Sequence, residues 1–256
     1  MSKQKLGDWQ ETKIKTKNGY VTAKAPIIIS ASRRTDIPAF YADWFFHRLK
    51  IGYSIWTNPV DGSKLYIDYS KTRFIVFWSK NPEPMLKYID QLKEKNINWY
   101  LQYSLNDYET VKPREEKLNI EHNVPPLKQR IETFQKYADK YGKDHIIWRF
   151  DPLLLTNRTD VNDLLERIER VGNSLYTYTH RLVFSFADIA IYPSVKRQLD
   201  KENIQYTEWT EDKMQEIAMG IQKLNQKWHL QVATCGEKNN FEKYDINPSH
   251  CIDEDL

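Results

Sequence analysis

Seven short runs of β-branched and aromatic residues, separated by stretches of helical periodicity, constrain this chain more than any other feature. The runs are PIIIS (26–30), YSIW (53–56), RFIVFW (73–78), NWYLQYSL (98–105), HIIWRF (145–150), RLVFSF (181–186) and HLQVAT (229–234). Several are continuously apolar instead of alternating, the pattern of parallel strands covered on both faces. Between them, roughly 38–50, 83–95, 127–141, 160–172 and 211–227 carry apolar residues at three-to-four spacing. Leu127, Ile131, Phe134, Tyr137, Ala138 and Tyr141 form one such stripe, and Val161, Leu164, Leu165, Ile168 and Val171 another. Asn81 before Pro82, Asp160 with Asp163, and Thr210 before Glu211 and Asp212 supply helix start signals.

Alternating strands and helices imply right-handed βαβ units and a parallel sheet. The expected fold is therefore α/β, a TIM-like (β/α) barrel, complete or partial, with a doubly wound sheet as the alternative. NIQYTEW (203–209) is the candidate eighth strand. Asp61-Gly62 between two extended runs predicts a type I′ hairpin near the barrel mouth. Residues 1–24, the stretch near 106–126 and the end of the chain read as flexible or peripheral.

At 256 residues and 40% hydrophobic content, one large core is the default, so residues 1–256 are expected to form a single domain. A net charge of +3 gives only a faint preference for anionic partners. No stretch approaches the roughly 20 apolar residues that span a bilayer, and the first residues lack an apolar signal core. The expected location is the cytoplasm, where Cys235 and Cys251 would stay reduced.

In parallel β/α folds the reactive groups collect at the carboxyl ends of strands, where helix N-termini and βα loops converge. Every strand end here is polar. Arg149 interrupts an otherwise apolar run, so it must be paired or face a polar cavity; a purely structural ion pair with Asp151 or Asp188 is the competing explanation. Arg33 and Arg34 offer planar donors for phosphate or carboxylate, and Asp36 either joins them or caps the helix starting near Pro38. Lys80 and Asn81 follow the third strand and suit anion binding. Asp151, Asp188 and Glu237 can act as acid or base, or ligate a divalent cation. Cys235 and Cys251 are sixteen residues apart with no local Cys-x-x-Cys pair, so two reduced thiols compete with a metal-ligand reading. Aromatic residues reach 13%, but most lie within strand or helix patterns, which favours core packing over base stacking.

The strings IISASRRTDIPAFY (28–41), FWSKNP (77–82), WRFDPLLLT (148–156), SFADI (185–189), TCGE (234–237) and CID (251–253) together resemble the bacterial family known as domain of unknown function eighteen forty-eight. The resemblance implies relatedness to radical S-adenosylmethionine enzymes and, in longer members, a cysteine-rich tail holding an iron-sulfur cluster. This chain has two cysteines, so the resemblance implies either a shortened form or a member without the cluster. It raises the standing of Cys235 and Cys251 as metal ligands and leaves any cofactor of this chain open.

The leading expectation is an enzyme that binds an anionic small molecule through Arg33, Arg34, Asp36, Lys80, Asn81 and Arg149, with Asp151, Asp188 and Glu237 as its acid-base or metal-ligand set. Its rivals are a non-catalytic nucleic-acid-binding module and a protein-interaction module that lacks the cluster.

Overall fold

The structure, a computed structural model, describes residues 9–32, 35–58, 60–109, 120–121, 123–190, 193–237, 239–250 and 252. The chain divides into two compact units, Met1–Tyr100 and Leu101–Leu256.

The first unit opens with an antiparallel hairpin of β1 (Gln10–Thr16) and β2 (Gly19–Ala25), in register from Gln10 opposite Ala25 to Thr16 opposite Gly19. Residues 10–16 and 19–25 are therefore strands, within the stretch that the sequence reads as flexible or peripheral. The signal was Asn18-Gly19 between alternating runs. Gly19 adopts φ 106°, and the Thr16 hydroxyl accepts from Asn18 N–H and donates to the Gly19 carbonyl. There follow β3 (Ile28–Ala31), α1 (Ile37–Phe40), α2 (Ala42–Ile51), β4 (Tyr53–Thr57), β5 (Lys64–Asp68), β6 (Phe74–Ser79) and α3 (Asp90–Glu94). The second apolar run is β4, and it does not join the parallel sheet. It pairs antiparallel with β5 in a four-stranded sheet ordered β1-β2-β5-β4. Their connection runs from Asn58 to Ser63, longer than the two-residue type I′ turn expected, and of Asp61 and Gly62 only Gly62 has positive φ. The unit's core is aromatic: Phe45 meets Phe46 and Phe77 edge-on at 5.6 and 5.7 Å between ring centres.

The unit boundary falls within β7 (Asn98–Ser104). The second unit continues with α4 (Leu127–Tyr141), β8 (Ile146–Leu153), β9 (Leu155–Thr156), α5 (Val161–Leu175), β10 (Arg181–Phe186), α6 (Pro193–Lys201), β11 (Tyr206–Thr207), α7 (Glu211–Trp228), β12 (Gln231–Cys235) and β13 (Ile246–Ser249). Helix α5 starts on a capping box between Asp160 and Asp163, and the Thr210 hydroxyl caps α7 through Lys213 N–H. Packing of α5 and α7 depends on two glycines. A Cβ on Gly172 would sit 2.3 Å from the Trp228 ring, and one on Gly220 would sit 2.4 Å from Leu165 Cδ1. Trp228 also meets Trp148 of β8 edge-on, with ring centres 5.9 Å apart.

A seven-stranded parallel sheet carries the architecture, in the order β13-β12-β10-β8-β7-β6-β3. Among the described residues the ladder does not close into a barrel. The candidate eighth strand is β11, which pairs antiparallel with β9 in a separate two-stranded sheet. The seventh position belongs instead to β13, whose asparagine, proline and serine hide it from an apolar pattern. No helix among the described residues is long and apolar enough to cross a membrane.

Candidate functional site

Arg149 sits midway along β8, opposite Ser104 of β7 and Val183 of β10, and is 2% exposed. A guanidinium so deep must spend its donors locally. Its Nε and Nη2 both donate to Asp151 Oδ2, at 3.1 and 2.8 Å, and Nη1 donates to Gln102 Oε1 at 2.6 Å. The Cys235 sulfur at the end of β12 accepts from the same group. Burial opposes the arginine's charge, but the Asp151 carboxylate and Cys235 outweigh it and hold the guanidinium above its ordinary range.

The other Asp151 oxygen accepts from the Ser185 hydroxyl of β10. Glu237 closes the group from the loop after β12, where its Oε1 accepts from Phe186 N–H at 3.0 Å. Burial raises the Glu237 carboxyl above the usual glutamate range. The Phe186 N–H works against that, and the negative charges of Asp151 and Asp188 add to it. Asp188 itself is exposed. An aromatic wall flanks this end of β10: Phe186 meets Trp209 at 4.7 Å and Phe241 at 5.8 Å, and Trp209 Nε1 donates to the Leu153 carbonyl.

The second unit thus brings Arg149, Asp151, Asp188, Cys235 and Glu237 to neighbouring strand ends, and Arg149 takes the Asp151 partner that the structural alternative named. Sequence reasoning missed Ser185 and Gln102. Both are polar residues inside apolar runs, the same signal that singled out Arg149.

In the first unit, Asp36 caps α1 by accepting from Ala39 N–H at 3.0 Å. Its second oxygen accepts from the Ser79 hydroxyl at 3.0 Å and from Lys80 N–H at 2.8 Å. Asn81 N–H donates to the Ser79 hydroxyl at 2.9 Å and also contributes to Asp36. Burial pushes the Asp36 carboxyl up, and these donors pull it partly back. Asp36, Lys80 and Asn81 therefore gather at the end of β6 through the Asp36 carboxylate, which also confirms the cap. Arg33 and Arg34 lie outside the described residues.

Cys251 also lies outside them, and among the described residues no group of three or more His, Cys, Asp or Glu is arranged to hold a metal ion. Two cysteines in the 256 residues do not match the thiolate set of an iron-sulfur cluster. What the second unit's arrangement can do is move protons: a half-buried carboxyl poised toward its neutral form, a thiol beside a guanidinium, and a hydroxyl on a carboxylate.

No curated protein and no solved structure matches the chain. The family model described as Domain of unknown function (DUF1848) matches residues 28–256, the span that holds both clusters, and the chain belongs to that family.

Proposed function

We propose that this chain is an enzyme whose acid-base centre lies at the carboxyl ends of β8, β10 and β12, with Glu237 as the proton-transferring group. The observation that carries this reading is Glu237 itself: a carboxyl raised by burial and by two like charges, beside the Arg149–Asp151 pair. Asp151 and Ser185 form a hydroxyl–carboxylate pair next to it, and Cys235 supplies a thiol. The strand order supports a partial barrel as the setting. It follows the chain without reversal, as in a (β/α) barrel and unlike a doubly wound sheet.

An anionic small molecule remains the proposed substrate class. Arg149 has a different duty, since an anion there would compete with Asp151. Radical S-adenosylmethionine chemistry gains nothing from this cysteine set, and a cytoplasmic location is proposed with the enzyme reading. The non-catalytic rivals predict a site that converts nothing.

The test is to incubate the protein with a small-metabolite extract and follow consumption by mass spectrometry, using E237Q as the control. Gln at 237 retains an acceptor for Phe186 N–H, so the variant should fold. Consumption of at least one metabolite by the wild type and not by E237Q is expected. Identical consumption by both would sink the assignment of Glu237, and no consumption would favour a binding module.

A further inference from the structure

We propose that Asn106 is a positioning residue, its side-chain amide acting as a substitute strand that holds the Asp151 backbone so that the carboxylate meets Arg149 and Ser185. The inference rests on the functional reading of the Arg149–Asp151 centre and extends it to a residue that touches none of the reacting groups.

The argument starts where the β7–β8 ladder stops. Its last residue pair is Ser104 with Arg149, and its last backbone bond runs from Leu105 N–H to the Arg149 carbonyl at 2.9 Å. Beyond that point Asp151 has lost its partner strand on the β7 side, and buried backbone groups without partners are costly. Asn106 fills the gap. Its Oδ1 accepts from Asp151 N–H at 2.8 Å, and its Nδ2 donates to the Asp151 carbonyl at 3.0 Å.

The amide has one workable orientation, because a flip would set donor against donor and acceptor against acceptor. Asn106 is itself completely buried and anchored on its far side. Nδ2 also donates to Glu121 Oε1 at 3.0 Å, and the Asn106 carbonyl accepts from Arg130 Nη1 at 2.9 Å. With both backbone groups of Asp151 clasped, its φ and ψ have little freedom, and the direction of its carboxylate follows.

The experiment reads the Arg149 Nε–H resonance in nitrogen-15 NMR, identified by its loss in R149K. That proton donates to Asp151, so its exchange with water reports the carboxylate's position. The Trp228 indole N–H, bonded to Asn173, serves as an internal reference for general loosening.

In the wild type, slow exchange is expected, accelerated about tenfold or more in D151N. N106A, or N106S if N106A does not fold, should accelerate it comparably while the Trp228 signal holds. In the D151N background the second substitution should add nothing. If D151N accelerates exchange and the Asn106 variants do not, or if Trp228 moves in step with Arg149, Asn106 is structural only and the acid-base reading stands. If exchange is already fast in the wild type or unmoved in D151N, the Arg149–Asp151 pair does not exist as described, and both readings fall together.

Discussion

At the scale of single residues, the second unit concentrates ionisable groups that oppose one another. Arg149 without Asp151 would be a buried charge with few partners, and Asp151 without Arg149 a carboxylate within reach of the Glu237 charge. R149M is therefore expected to lower unfolding free energy by about 3 kcal/mol, the cost of stranding one member of a largely buried pair. R149K should cost less, because it retains charge but not the planar fork. Urea denaturation of both variants checks the difference.

Glu237 carries the opposite sign. Its folded-state carboxyl is raised, so its contribution is most favourable while it is protonated and is lost as pH rises through the folded value. E237Q should then melt higher than the wild type near neutral pH, by roughly 1–3 °C after allowance for partial solvent screening. The gap should vanish below the ordinary glutamate range of about 4.3. Thermal melts across that range measure it, and a gap independent of pH would refute the assignment.

At the same scale lies the limit of what the sequence makes legible. Arg149, Asp151 and Glu237 stand out because charge is conspicuous in or beside apolar runs. Gln102 and Ser185 are just as deliberate, but a neutral polar side chain costs little at many strand positions. Their roles appear only once β7, β8, β10 and β12 are laid side by side.

Among the elements, helices with a strong apolar stripe were readable to within a few residues. The stripe from Leu127 to Tyr141 is α4 itself, and Asp160 with Asp163 marks the start of α5 as its capping pair suggests. D160A should cost about 1 kcal/mol, measurable by chemical denaturation, as expected for a lost cap. The β1–β2 hairpin was not readable from hydrophobicity, because most of its exposed residues are polar, among them Glu11, Lys13, Lys15 and Thr22. Lys13 and Lys15 on β1, the edge strand, also discourage pairing with another chain.

Helix–helix contact is likewise invisible to a periodicity count. Gly172 and Gly220 are ordinary helix-weakening residues in sequence, and in the structure they admit Trp228 and Leu165. G172A is expected to destabilise by about 2 kcal/mol through overpacking against a rigid ring. G220A should cost less or nothing, since Leu165 can change rotamer and alanine favours a helix. Paired thermal melts rank the two, and equal losses would mean that the Trp228 ring yields as easily as the leucine.

For the whole molecule, a seven-stranded parallel sheet was legible from the unbroken apolar runs, whereas its exact membership was not. YSIW looks like a core strand but belongs to the antiparallel sheet, and β13 looks like a loop but completes the parallel one. Both errors have one cause: Ile55 and Trp56 are apolar yet exposed, and an apolar run does not say which sheet a strand joins.

The order β3-β6-β7-β8-β10-β12-β13 has a kinetic meaning. Each strand lies beside the parallel-sheet strand made just before it, so none must be threaded between two neighbours already paired. A nascent chain leaving the ribosome can add strands at one growing edge, and each addition closes only its own crossover. Until the next strand arrives, that edge is an open template. The most vulnerable moment in this protein's life is thus the wait for its next strand during synthesis.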